Sequence, residues 1–209
     1  MAKQTILVSG CDANYFSYLK EALVSCEQVL GSRLPDIGIL DLGLTPEQCD
    51  WISKRGYTRV VPEWTLPVPE EIRKNRELGL VARTALRDYF PGYQVYLWFD
   101  SDAWAQTPEF FDSFVEGAAA NGAAVALEPI SVMARGYCYN RWWYGHMISV
   151  FGLMKGVSVA SRKTMNIGLI ALKDTAPHWK LWVDYYTRMI ERTNRVNVDW
   201  STPIIESMI

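Results

Sequence analysis

Short apolar runs alternate along this chain with longer stretches of helical period. Thr5-Ile6-Leu7-Val8-Ser9 is an apolar run closed by Gly10, and between Asn14 and Leu30 the residues Phe16, Leu19, Leu23 and Leu30 recur at helical spacing. This predicts a strand and then a helix. Ile37-Gly38-Ile39-Leu40 is a second strand ending at Asp41, followed by a helix with Thr45 as N-cap and Pro46 as its first residue. Thr58-Arg59-Val60-Val61 is a third strand, stopped by Pro62. Residues 62–69 are rich in proline and read as a surface loop, and a helical pattern over 72–90 leads through Pro91-Gly92 into a fourth strand, Val95-Tyr96-Leu97-Trp98-Phe99.

The second half continues the alternation. Thr107-Pro108-Glu109 opens a helix that runs to an alanine-rich turn at 118–122, and Ala123-Ala124-Val125-Ala126-Leu127 is a fifth strand ending at Glu128. Residues 129–163 show no regular period and hold Tyr137, Tyr139, Trp142, Trp143 and Tyr144. Residues 165–172 read as a strand, and 177–195 as a helix with Trp179, Trp182, Tyr185, Tyr186 and Met189 on one broad face. No internal repeat interrupts the pattern. Strands alternating with helices predict an α/β fold with a mostly parallel central sheet flanked by helices.

Composition narrows the function classes. With 209 residues, 49% hydrophobic and 21% charged, the chain is long enough for one domain, 1–209, with a full core. A net charge of -2 with no run of Lys and Arg gives no footprint for nucleic acid or for an anionic membrane. The N-terminus lacks a signal-peptide pattern and no apolar stretch reaches the ~18 residues of a transmembrane segment, so a cytoplasmic protein is expected. Cys11, Cys26, Cys49 and Cys138 form no Cys-x-x-Cys pair, and His146 and His178 are the two histidines. Buried free thiols are expected, and structural rather than metal-binding histidines.

Candidate chemistry centres on Asp100-Ser101-Asp102, at the end of the fourth strand. Residues two apart on an extended chain point the same way, so both carboxylates can face one ligand. Two hard anionic oxygens suit Mg²⁺ or Mn²⁺, with positions left open for the oxygens of a diphosphate. The plainer alternative is a turn, which Asp and Ser favour. The motif's place favours chemistry, because open α/β sheets bind ligands beyond the carboxyl ends of their strands.

Four segments then follow one another in an order that resembles the retaining glycosyltransferases of family 8. They are Cys11-Asp12-Ala13-Asn14-Tyr15, then Leu40-Asp41-Leu42-Gly43-Leu44-Thr45-Pro46-Glu47-Gln48, then Arg83 ahead of the Asp-Ser-Asp edge, and finally Met165-Asn166-Ile167-Gly168-Leu169-Ile170-Ala171-Leu172. The resemblance extends from Ile6 to about Ile205 and implies a GT-A fold that moves a hexose from a nucleotide diphosphate sugar, with uridine favoured, to a glycan, lipid or protein hydroxyl. It implies that Asp12 and Asn14 meet the uracil and ribose, that Tyr15 lies against the base, and that Arg83 reaches the phosphates or the donor sugar. Asp100 and Asp102 would hold a Mn or Mg ion with Ser101 beside them. Asn166 and Gly168 would frame the sugar, and Glu128 and Asp199 would lie near the transferred group and the acceptor.

Structural alternatives stand beside several of these roles. Asp12 also reads as a helix cap, Tyr15 as core, Arg83 as a solvated helix charge, Glu128 before Pro129 as a loop start, and Asp41 as a strand-end turn residue. The chain departs from the family at Trp200, where Gln would follow Asp199. It also ends at Ile209, before any His-x-x-Gly-x-x-Lys-Pro segment that would supply a third metal ligand, so either truncation, or a substitute ligand or water completing the sphere, is expected. Two other functions fit the same motif. One is a haloacid-dehalogenase-like phosphatase, whose first Asp would be the nucleophile, although Trp104 replaces its expected Thr or Val. The other is a nucleotide-sugar-binding module without turnover.

Overall fold

The structure, a computed structural model, describes residues 3–127, 137–162 and 165–196. Six strands form one sheet: β1 (Lys3–Cys11), β2 (Asp36–Asp41), β3 (Thr58–Val60), β4 (Tyr93–Phe99), β5 (Ala123–Leu127) and β6 (Met165–Lys173). Their order across the sheet is β3-β2-β1-β4-β6-β5. β1 pairs in parallel with both β2 and β4, and β2 with β3, whereas β6 runs antiparallel to β4 and β5. The expected mostly parallel sheet is therefore present, with β6 reversed.

Period-two alternation sorts the strand residues onto two faces. Ile6, Val8, Tyr96, Trp98, Ile170 and Leu172 pack on one side with helices α3 (Asn75–Ala82), α4 (Leu86–Tyr89) and α8 (His178–Val196). Leu7, Ile37, Ile39, Val95, Leu97 and Phe99 pack on the other with α1 (Phe16–Leu30), α2 (Pro46–Lys54) and α5 (Glu109–Asn121). Near-continuous apolar strands are what a sheet covered on both faces requires.

The start of α2 follows its sequence signals. Thr45 caps the helix by accepting the Gln48 amide, the Gln48 side chain returns a bond to the Thr45 amide, and Pro46 holds the first helical position. Just before it, Asp41 serves as a turn residue: its Oδ1 accepts the Gly43 and Leu44 amides at 2.9 and 2.7 Å, and its Oδ2 takes Arg59 at 2.5 Å. Burial raises the pKa of this carboxyl, but the two amides and the guanidinium outweigh burial and hold it below the usual carboxylate range. Its contribution to stability is therefore complete above its unfolded titration, near about pH 4, and is lost as the pH falls through the lowered native value. Asp41→Asn should flatten the acid limb of a stability-against-pH curve measured by urea denaturation, with a loss of about 1–3 kcal/mol at neutral pH.

Two expected elements differ. The helical pattern over 72–90 is broken into a 3-10 turn Glu70–Ile72, α3, a 3-10 turn Arg83–Ala85 and α4. At the second break the Thr84 hydroxyl donates to the Val81 carbonyl at 2.8 Å, drawing off a carbonyl of the helix ladder. The irregular stretch expected over 129–163 contains two helices, α6 (Tyr137–Phe151) and α7 (Leu153–Ala160). Gly145, Gly152 and Gly156 mask the helical period there, yet Gly156 is where the helices touch: a Cβ on it would lie 2.5 Å from the Met147 carbonyl oxygen and from the Ile148 Cα. Among the described residues no helix is long and apolar enough to cross a membrane.

Candidate active site

In the order β3-β2-β1-β4-β6-β5 the chain runs from β1 to β2 toward one edge of the sheet and from β4 to β5 toward the other. The strand order therefore diverges between β1 and β4, where a crevice is expected beyond their carboxyl ends. Asp12 follows β1 and Asp100 follows β4, so both stand at this crevice. A cavity of about 350 Å³ lies there, lined by Gly10, Cys11, Asp12, Tyr15, Leu42, Asn75, Gly79, Leu80, Arg83, Trp98, Asp100, Ser101 and Asp102. A second cavity of about 500 Å³ lies alongside, lined among others by Asp100, Asp102, Trp104, Phe110, Asn166 and Gly168. Asp100 and Asp102 border both.

Asp100 is held by its own strand and by its neighbours. Trp98, two residues earlier and on the same face, donates from Nε1 to Asp100 Oδ1 at 2.6 Å. Arg83 donates from Nη2 to the same oxygen at 2.8 Å, and its guanidinium lies 4.3 Å from the Trp98 ring centroid. The Arg83 side chain is only 12% exposed, which strengthens the pair relative to a surface contact. Arg83 lines the first cavity, and its guanidinium binds Asp100 and the Ile167 carbonyl. Its buried Nε has no partner among the described residues.

The antiparallel course of β6 brings Asn166 and Gly168 to the same rim, where the Asp100 amide donates to the Gly168 carbonyl at 2.8 Å. Asn166 Oδ1 accepts the Gly168 amide at 2.8 Å. A Cβ on Gly168 would lie 2.8 Å from Asp100 Oδ2 and 2.9 Å from Asn166 Oδ1. Absence of a side chain there keeps the space over Asp100 Oδ2 clear.

The turn alternative for Asp100-Ser101-Asp102 also holds, because the Ala103 amide donates back to the Asp100 carbonyl at 3.0 Å. The buried Ser25 hydroxyl of α1 then accepts the Ala105 amide at 2.9 Å and pins the following residues. Asp102 is left exposed at the rim. The hard donors available to a cation are Asp100 Oδ2 and the Asp102 carboxylate, and among the described residues no group of three His, Cys, Asp or Glu gathers. This donor set fits a cation such as Mg²⁺ that completes its sphere with water and phosphate oxygens.

At the other lip Asp12 closes a turn ahead of α1 and is not the helix cap of its alternative reading, since Tyr15 holds the N-cap position without a side-chain bond: Asp12 Oδ1 accepts the Asn14 and Tyr15 amides at 2.9 and 3.2 Å. The second oxygen takes no part in that turn. Tyr15 is not core but 51% exposed at the cavity, leaning on Tyr18 at 5.6 Å between centroids. Asn14 sits in that turn and is absent from the cavity wall. Glu128, Asp199 and Trp200 lie outside the described residues, as do the side chains of Tyr137, Cys138, Tyr139, Trp142 and His146.

Sequence reasoning missed Trp98, Asn75, Gly79 and Cys11 as cavity residues. Trp98 was legible, since an indole two residues before an Asp on a strand shares its face. Burial, then the charges of Asp12 and Asp41, push the Cys11 thiol up to about 12, so it stays protonated at the cavity wall. Cys11, Cys26 and Cys49 are free thiols.

No family model matches the chain, and no curated protein matches it. Solved structures do. A galactosyltransferase, LgtC, in complex with donor and acceptor sugar analogues is 17% identical over 92% of this chain and 65% of its own, with a TM-score of 0.59. WbbM, a bifunctional glycosyltransferase in its apo form, is 11% identical over 94% of this chain and 38% of its own, with a TM-score of 0.56. Core-mannan synthase A from Aspergillus fumigatus, in its Mn/GDP form, is 10% identical over 90% of this chain and 65% of its own, with a TM-score of 0.52. The chain thus spans less than two thirds of the length of each. Shared by all three at low identity is the arrangement of strands and helices, and this chain has the GT-A fold of the nucleotide-sugar glycosyltransferases.

Proposed function

We propose that the chain transfers a hexosyl group from a nucleoside diphosphate sugar, uridine diphosphate sugars first among them, to an acceptor hydroxyl with retention at the anomeric carbon. The observation that carries this reading is the position of Asp100 and Asp102 on the common rim of two adjoining cavities of about 350 and 500 Å³. Retention and the uracil preference rest on the family resemblance. The fold shared with glycosyltransferases supports the reaction class over a phosphatase, and the Mn/GDP form of the mannan synthase supports a divalent cation.

In this reading Asp100 Oδ2 and Asp102 would hold a Mn or Mg ion, which would supply positive charge against that growing on the departing nucleoside diphosphate. Trp98 and Arg83 fix the Asp100 carboxylate by engaging Oδ1, which leaves Oδ2 turned toward the Gly168 side. Arg83 keeps positive charge at the phosphate end of the cavity, and Ser101 lies beside the same phosphates. Tyr15 offers its exposed ring to the base, while Asp12 and Asn14 shape the lip that receives the uracil and ribose. Asn166 uses Oδ1 within its own turn and keeps Nδ2 to donate to a sugar hydroxyl. Glu128 and Asp199 are assigned to orientation of the sugar and acceptor. This machinery works chiefly by positioning and charge compensation.

Incubation with a panel of nucleotide sugars and Mn²⁺ tests the proposal through release of the free nucleoside diphosphate. Release that requires the metal and selects one nucleotide is expected. Tight donor binding with no release would indicate an inert binding module, and hydrolysis of a generic phosphate ester would indicate a phosphatase.

A further inference from the structure

Sugar transfer makes no use of a face that α7 presents to solvent. Leu153 and Met154 are 66% and 85% exposed, and Val157, one turn on, is exposed as well. Positions i, i+1 and i+4 share one side of a helix, so these three form an outward apolar surface. The helix is not loosely held. Its buried side carries Gly156, packed against α6 without room for a Cβ, and Ala160, whose carbonyl accepts the Trp143 indole at 3.2 Å. Lys155 lies between these apolar residues and α8, with Nζ 5.4 Å from the ring centroid of the exposed Tyr185.

The charge of the same segment is one-sided. From Pro129 to Lys163 the sequence has five basic residues, Arg135, Arg141, Lys155, Arg162 and Lys163, and no acid, in a chain with 21 basic and 23 acidic residues. Arg141, Lys155 and Arg162 are exposed. Whole-chain charge hides this asymmetry. Exposed apolar residues on a short helix, in a sequence segment whose charges are all basic, match the surface of an anionic bilayer, where the apolar side enters the headgroup boundary and the cations meet phosphate.

We propose that α7 docks in the plane of a bilayer bearing anionic lipid headgroups. The chain passes from α7 toward β6, whose residues Met165 to Gly168 line the second cavity, so docking would bring that cavity close to the lipid surface. Resting on the transfer reading in this one respect, it assigns the acceptor hydroxyl to a lipid-borne molecule.

Co-sedimentation of the full chain with phosphatidylcholine vesicles, with and without phosphatidylglycerol, tests the docking without nucleotide or turnover. At about 0.15 M salt the chain should pellet with the phosphatidylglycerol vesicles and remain in solution with phosphatidylcholine alone. Met154→Glu should weaken binding by about tenfold or more, and Lys155→Gln by about fivefold, with melting temperatures unchanged because both side chains are exposed. Three results would overturn the proposal: no sedimentation with either vesicle, equal sedimentation of Met154→Glu, or a dimer in solution that Met154→Glu converts to monomer. Vesicle binding without sugar transfer would leave the docking standing and remove the enzymatic reading. Efficient transfer without vesicle binding would do the reverse.

Discussion

Asp102→Asn is expected to lower sugar transfer at least about 10³-fold, equivalent to about 4 kcal/mol of barrier, while the melting temperature stays within a degree or so of the parent's. Asp102 stands exposed on the rim, so its charge contributes little to the fold and, in the transfer reading, nearly everything to the cation. Asp100→Asn should cost a similar factor in transfer but behave differently in stability. Its carboxylate is the partner of Arg83, whose side chain is mostly buried, and it also accepts the Trp98 indole. Asparagine can keep both hydrogen bonds but leaves the guanidinium without a counter-charge. With the Asp100 side chain itself partly exposed, a loss of about 1–2 kcal/mol is expected. At this chain length that corresponds to roughly 2–8 °C in melting temperature. Initial rates of nucleoside diphosphate release, alongside thermal denaturation of both variants, check the pair. Equal transfer by Asp102→Asn and the parent would contradict the assigned role.

Gly168→Ala should reduce transfer by about 10–100-fold with only a minor change in stability. The added methyl would stand 2.8 Å from Asp100 Oδ2 and 2.9 Å from Asn166 Oδ1, both under the separation that carbon and oxygen tolerate. The neighbours are ends of side chains, so the clash is relieved by turning them away, and a misplacement of this size in a positioning site costs roughly a hundredfold. The Gly168 amide and carbonyl keep their bonds to Asn166 and Asp100, which is why the fold survives. The effect should appear as weaker apparent Mn²⁺ affinity as well as slower turnover, measured by titrating the metal at saturating donor. A substitution that altered neither would place the cation away from Asp100 Oδ2.

The parts of the fold that could be read in the sequence are those whose signals are local. Strands β1, β2, β4 and β6 are dense apolar runs, and the Thr45-Pro46 start of α2 carries its own capping chemistry. The reversal of β6 is not local. It comes after α6 and α7, where glycine-assisted helix packing at Gly156 replaces a clean apolar stripe. The same division holds at the candidate site. Asp100 and Asp102 were visible as an Asp-x-Asp after a buried strand, and Arg83 as a charge in apolar surroundings. That Arg83 spends its charge on Asp100, and that Asp12 spends one oxygen on backbone amides, are contacts set by tertiary geometry. Trp98 lay in plain sight as a core aromatic, and only its indole N–H connects it to the rim.

Titration of Mn²⁺ into the protein with and without uridine diphosphate, followed by the electron paramagnetic resonance of the free ion, shows whether Asp100 and Asp102 hold the cation against the diphosphate. The diphosphate is expected to tighten Mn²⁺ binding, and an Asp100→Asn, Asp102→Asn double variant to abolish this tightening while still folding. Unchanged diphosphate-linked Mn²⁺ binding in the double variant would contradict that role for the two carboxylates.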